Sequence, residues 1–207
     1  IIYSYIKRIF DIILACLILI VTLPVTLVAI IGIKLSDFGP IFFTQTRIGK
    51  FEKPFKMLKF RTMYQDKVDA EFDDDLEDVE NDDKRIMPFC RWIRKFHIDD
   101  IPQVFNILKG EMSLIGPRPV REDVYFENQS KIKFWECRSW VRPGITGWQQ
   151  IKKSECMPEE RLGFDLYYIQ HRTLIWEIVI FLKYSFNCFL SIFPFGVYGS
   201  SSNSIKY

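Results

Sequence analysis

From Ile12 to Ile33 the chain runs 22 residues without a charge. At about 1.5 Å per residue this makes about 33 Å of helix, enough to cross a hydrocarbon core of about 30 Å. The run is too long for the apolar part of a cleaved leader, and no small-x-small site follows it. Pro24 stands near its middle, where it lacks a backbone donor and crowds the preceding turn, so a bend is expected there. Both flanks are basic: Lys7 and Arg8 before, then Lys34, Arg47, Lys50 and Lys53 after. Orientation by loop charge needs an asymmetry that these flanks lack. Two readings stand at this point: a kinked span, or a re-entrant helix that breaks at Pro24 and returns with both flanks on one face. Thr22 and Thr26 are expected to bond carbonyls that such a break frees.

The 207 residues are 48% hydrophobic and 26% charged, which excludes a disordered tail and a polytopic membrane protein. Nineteen Phe and five Trp direct attention to a boundary that is apolar on one side and wet on the other. Five Cys without a C-x-x-C pair give neither a disulfide framework nor a zinc site, and a reducing compartment is expected. Between Asp66 and Asp83 lie 11 of the 26 acids and one base, a solvated stretch; the remainder carries 27 bases against 15 acids. Such a remainder attracts anions: nucleic acid, lipid head groups or phosphorylated substrates.

Three parts are expected. Residues 1–36 form the membrane anchor. Residues 37–173 form a small mixed α/β domain, with a β-hairpin from Ile41–Ile48 and Phe55–Met63 joined around Gly49. Residues 174–207 form an amphipathic tail of interfacial helices, rich in aromatics and interrupted by Pro194.

The candidate site lies in His97–Gly110. Ile101, Val104, Phe105 and Leu108 repeat at i, i+3, i+4 and i+7, one helical stripe, and Gly110 is a good stop. Asp100 followed by Gln103 reads as a capping box, leaving Asp99 as an acid no cap requires. A helix start favours carboxylates and phosphates alike, and the two together call for Mg²⁺ or arginines. Arg91, Arg94, Arg118 within Gly116-Pro117-Arg118-Pro119, and Arg142 within Val141-Arg142-Pro143-Gly144 supply guanidinium forks. His97 reads as a core or surface histidine, His171 has no evident partner, and the cysteines read as structural.

These stretches make the chain recognisable. Lys7-Arg8-Ile9-Phe10-Asp11, Gly39–Gly49, Phe55–Met63, Asp99–Gln103, Asn106–Ser113, Gly116–Pro119, Val141–Trp148 and Phe164–Tyr168 run in order across residues 5–190. Together they resemble the bacterial sugar transferases, monotopic phosphoglycosyl transferases that act on polyprenyl phosphate. The resemblance implies transfer of a sugar-1-phosphate from a UDP-sugar to undecaprenyl phosphate with release of UMP and with Mg²⁺. This is the first membrane step of capsule, exopolysaccharide, O-antigen or glycoprotein glycan assembly. It implies a re-entrant helix broken at Pro24 and a catalytic domain on the cytoplasmic face of a bacterial inner membrane. Membrane lipids are then partners and nucleic acid is not; a homo-oligomer stays open, as does an upstream domain before Ile1.

Carried over by position, Asp99 is the nucleophile and Asp100 the second acid, the two also holding the metal. Lys59, Arg94, Arg118 and Arg142 hold phosphates, and Asp165 is an acid adjacent to the site. The chain departs from the family at three points. Asp100 stands where Glu is usual, Leu23 replaces the usual Ser before the membrane proline, and Met87-Pro88-Phe89-Cys90 lacks a glycine. Two rivals remain. A non-catalytic membrane scaffold with a drifted dyad would show no turnover, and a metal-dependent phosphohydrolase would release sugar phosphate without lipid.

Overall fold

In the computed structural model, residues 2–64, 83–152 and 156–192 are described, the side chains of the last helix as far as residue 186. The acidic stretch 65–82 and the end of the tail, Pro194 included, lie outside them. Helix α1 runs Ile2–Ser36 and β1 Phe42–Ile48; β2 is Pro54–Phe60. Helices α2 (Cys90–Lys95) and α3 (Gln103–Lys109) follow, then β3 (Ser113–Ile115), α4 (Glu122–Lys131) and β4 (Gly144–Thr146). The chain continues through α5 (Trp148–Lys152), α6 (Pro158–His171) and α7 (Leu174–Ile192). The mixed helix–strand class expected from the sequence is what forms.

The hairpin closes as its alternation predicts, β1 antiparallel to β2 with Phe42 opposite Phe60 and Ile48 opposite Pro54. Its tip is a 3₁₀ turn, Lys50–Glu52, rather than a glycine turn alone. Phe55 and Met57 point to the core, and Lys59, two residues on, follows the same face. Strands β3 and β4 pair in parallel through Ser113–Gly144 and Ile115–Thr146. Two glycines permit this approach: a Cβ on Gly144 would strike the Gly116 nitrogen, and one on Gly116 the Arg142 carbonyl. Backbone cannot yield as a side chain can. Gly144→Ala is therefore expected to cost about 1–3 kcal/mol, measured as a lowered urea midpoint.

Helix α1 remains helical through Pro24. Thr22 bonds the Ile18 carbonyl (2.7 Å) and Thr26 Oγ1 has no partner among the described residues. Neither hydroxyl therefore takes the Ile20 carbonyl that Pro24 leaves free, contrary to expectation. Few residues of α1 are buried: Asp11, Ala15, Ala29, Gly32 and Ile33. They fall at its two ends, and both ends pack on the same domain. Ala15 joins the core of Phe55, Met57, Val104, Ile107 and Ile115, while Ala29 and Ile33 join Phe60, Met87, Cys90 and Ile93. Between them Leu17, Ile20, Val21, Leu23, Leu27 and Val28 are exposed. The helix is long and apolar enough to cross a membrane.

Helix α7 likewise exposes Ile175, Ile178, Leu182 and Phe186. Its Glu177 is fully buried. It accepts hydrogen bonds from Tyr3 (2.6 Å) and Tyr168 (2.8 Å) and pairs with Lys7. Burying this carboxylate is tolerable because three donors from two helices, α1 and α6, converge on it.

Candidate active site

Asp99 and Asp100 lie in a one-turn 3₁₀ segment, Ile98–Asp100, between α2 and α3. The turn is set by His97, whose left-handed backbone (φ 53°) lets the chain reverse; its ring is exposed. Helix α3 starts only at Gln103, with Pro102 at the capping position and no side-chain cap. The capping box is thus corrected: Asp100 does not cap a backbone N–H but accepts from the Gln103 side-chain amide (2.5 Å). Helix α3 begins three residues after Asp100, so Asp100 is not at its capping position. Gly110 ends α3 with φ 89°, as read from the sequence.

The buried face of α3 also differs. Val104 and Ile107 are buried while Phe105 is 44% exposed. Asn106 explains this, because it holds α3 against β2 by accepting from Leu58 N (3.0 Å) and donating to the Lys56 carbonyl (2.8 Å). A polar side chain thereby occupies the inward position, and the apolar stripe rotates around it.

Lys59 Nζ lies 3.5 Å from Asp100 Oδ1. Both line a cleft with Arg47, Met57, Gln103, Arg118, Pro119, Gly144 and Ile145. Asp99 sits beside it with its Oδ1 buried and without a hydrogen-bond partner among the described residues. Burial, and secondarily the Asp100 charge, push the Asp99 carboxyl up to about 7, against the opposing pull of Lys59 and Arg94. Arg94 itself contacts Thr62 Oγ1 at 3.4 Å. A carboxylate held in this way keeps acceptor capacity that the described residues do not use.

Four sequence-chosen residues therefore gather at the dyad or act on it: Lys59, Arg94, Arg118 and Asp100 around Asp99. Two do not. Arg142 lies at the opposite end of α3, its Nε donating to the Gly110 carbonyl (2.8 Å). Asp165 is 3% exposed and forms a buried pair with Arg138 (2.8 Å), outside the cleft wall. Arg138 in turn donates to the Arg118 carbonyl (3.0 Å) and lies over the Trp135 ring. Asp165 thus reaches the cleft only through a second residue.

Sequence reasoning gave Arg47 no role. It is 2% exposed, bonds Gln45 Oε1 and the Pro119 carbonyl, and so fixes the far side of the same Pro-Arg-Pro loop. Its signal was an arginine at an inward strand position. His171 has a partner after all, the Tyr167 carbonyl (2.9 Å).

Comparison with known proteins adds one decisive observation: residues 2–191 match the family model described as bacterial sugar transferase. The chain belongs to the bacterial sugar transferase family. Within the family it is 37% identical, over 88% of its length, to UDP-N-acetylgalactosamine-undecaprenyl-phosphate N-acetylgalactosaminephosphotransferase of Aeromonas hydrophila. It is 37% identical over 85% of its length to the Escherichia coli UDP-glucose:undecaprenyl-phosphate glucose-1-phosphate transferase. It spans only 43% and 39% of those two proteins. Against the exopolysaccharide production protein ExoY of Sinorhizobium fredii it is 39% identical and covers 86% of itself and 82% of ExoY.

Proposed function

We propose that the chain transfers a sugar-1-phosphate from a UDP-sugar to polyprenyl phosphate, releasing UMP, through a phosphosugar carried on Asp99. The observation that carries this reading is the buried Asp99 Oδ1 without a partner, set against a cleft walled by Lys59 and Arg118. The activities named for the Aeromonas and Escherichia relatives support it, and none of those names is a hydrolase or a scaffold.

The steps balance without a proton donor. An Asp99 carboxylate oxygen attacks the phosphorus bearing the sugar, and the bond from that phosphorus to the UMP oxygen breaks. An oxygen of the lipid phosphate then attacks the same phosphorus. The Asp99–phosphorus bond breaks and the carboxylate is regenerated. Lys59 and Arg118 face the phosphates, and Arg94 favours the ionised form of Asp99. Arg47 and Arg138, the latter steadied by Asp165, hold the loop that presents Arg118.

Mg²⁺ is the expected cofactor, held by Asp99 and Asp100. No group of three potential ligands occurs among the described residues. Two carboxylates nevertheless suit this ion, which commonly takes one or two plus substrate phosphates and water. When bound it would offset charge on the diphosphate.

The anchor is proposed to be re-entrant, with the catalytic domain on the cytoplasmic face of a bacterial inner membrane. Fastening of both ends of α1 to one domain supports this, since a domain lies on one side of a bilayer. Cysteines placed at Ser4 and at Ser36 should both label from the cytoplasmic side; labelling from opposite sides would establish a span. The activity is tested by incubating membranes containing the protein with undecaprenyl phosphate and a panel of UDP-sugars. UMP release dependent on the lipid is expected for at least one donor, and release of sugar phosphate without lipid would favour hydrolysis.

A further inference from the structure

The C-terminal end of α3 gathers cations that the donor cleft does not use. Arg8, from the first turns of α1, donates through Nη1 to the Ile107 carbonyl (2.6 Å) and through Nη2 to the Leu108 carbonyl (3.0 Å). Arg142 reaches the next free carbonyl, Gly110, through Nε. A Cβ on Gly110 would lie 3.5 Å from Arg8 Nη2, so both guanidiniums meet at this one glycine. Helix-end carbonyls carry partial negative charge and fix the two forks in place, but they neutralise only a fraction of two full charges.

Three other cations of this fold are matched by carboxylates: Lys7 by Asp11 and Glu177, Arg61 by Asp37, Arg138 by Asp165. Arg8 and Arg142 are held by carbonyls, and among the described residues Arg142 commits only its Nε, which leaves its two terminal nitrogens to a ligand. Lys50, at the hairpin tip, adds to the excess. Burial lowers its pKa first, and the nearby Arg142 and Arg172 lower it further. The carboxylate that acts on Arg8, Asp11, is shared with Lys7, so the cluster keeps an excess of positive charge that suits an anion.

The surroundings select the kind of anion. On α1, Ile9 is 59% exposed and Ile12, one turn beyond Arg8 on the same face, is 37% exposed; on α3, Phe105 is 44% exposed. A phosphate bound here would carry its substituent onto apolar surface at the foot of the membrane helix. Resting on the transferase reading above, we infer that Arg8 and Arg142, with Lys50 at the rim, bind the phosphate of the lipid acceptor, separately from the donor diphosphate. Arg142 is thereby an acceptor residue rather than a donor one. The seven residues of α3, about 10 Å of helix, lie between this site and the dyad. Arg142 also leads directly, through Pro143, into Gly144 and Ile145 of the cleft wall. The acceptor is held at the lip while the donor reacts, and moves inward once UMP has left.

The test uses the full chain in lipid nanodiscs. Arg8→Gln should raise KM for undecaprenyl phosphate about tenfold, and Lys50→Gln about threefold, as loss of a charge-assisted contact does. KM for the UDP-sugar and the single-turnover release of UMP without acceptor should stay at the parent values. Farnesyl phosphate should compete with the acceptor in the parent and far less in Lys50→Gln. Should Arg8→Gln lose its helical circular dichroism, Lys50→Gln and the competition still decide. A parallel rise in KM for the donor would overturn the assignment, as would an unchanged acceptor KM in Lys50→Gln. Competition by inorganic phosphate or phosphatidylglycerol as strong as that by farnesyl phosphate would also overturn it. Absence of any UMP release from the parent protein would instead strike the transferase reading itself.

Discussion

Asp99→Asn is expected to lower turnover by about four orders of magnitude or more, the scale seen when a covalent nucleophile is removed. The variant should nevertheless fold and reach the membrane, because Asp99 Oδ1 makes no hydrogen bond among the described residues. A second effect has the opposite sign. The Asp99 carboxyl is raised to about 7 by burial and by Asp100, so the folded protein holds its proton more tightly than the unfolded chain does. Stability is then lost as pH rises from the ordinary carboxylate range through about 7, and Asn, which cannot ionise, escapes that loss. In chelator at pH 8 the variant should therefore melt above the parent, by about 2–4 °C for each kcal/mol relieved. The difference should shrink to nothing below about pH 4. A variant that melts lower at pH 8 would mean that Asp99 is a structural residue.

Breaking the Arg138–Asp165 pair should have the largest effect on stability. Both residues are almost fully buried, at 4% and 3% exposure. Burial pushes the Asp165 carboxyl up and the Arg138 guanidinium down, and each partner opposes the other's shift. Asp165→Asn leaves Arg138, and Arg161 nearby, without their carboxylate in a dry setting. The expected cost is about 3–5 kcal/mol, a fall in Tm of roughly 6–20 °C for a chain of this size. Because Arg138 also holds the Arg118 carbonyl, surviving protein should bind the donor more weakly. Replacing both partners together, with Arg138→Met and Asp165→Leu, should recover much of the stability, since no lone charge is then buried. A single variant melting within about 1 °C of the parent would show that the pair is solvated after all.

What the sequence could reveal depended on the range of the interaction. The hairpin was legible because strand alternation is local, and Lys59 inherits its direction from Phe55 and Met57. The Asp99–Asp100 pair stood out because two adjacent acids precede the apolar stripe of α3. The burial of Glu177 was not legible, because its partners Tyr3 and Lys7 lie at the other end of the chain. Arg142 and Asp165 were identified as site residues by pattern, yet their partners, Gly110 and Arg138, are set by packing that no spacing encodes. Asn106 redirected the α3 stripe for the same reason, by bonding a strand some fifty residues away.

The most direct measurement is the intact mass of the protein mixed with its UDP-sugar in the absence of lipid. The account predicts a gain equal to one sugar phosphate, mapped by fragmentation to Asp99, discharged when undecaprenyl phosphate is added and missing from Asp99→Asn. Unmodified protein under conditions where lipid-linked product forms, or an adduct on another residue, would contradict it.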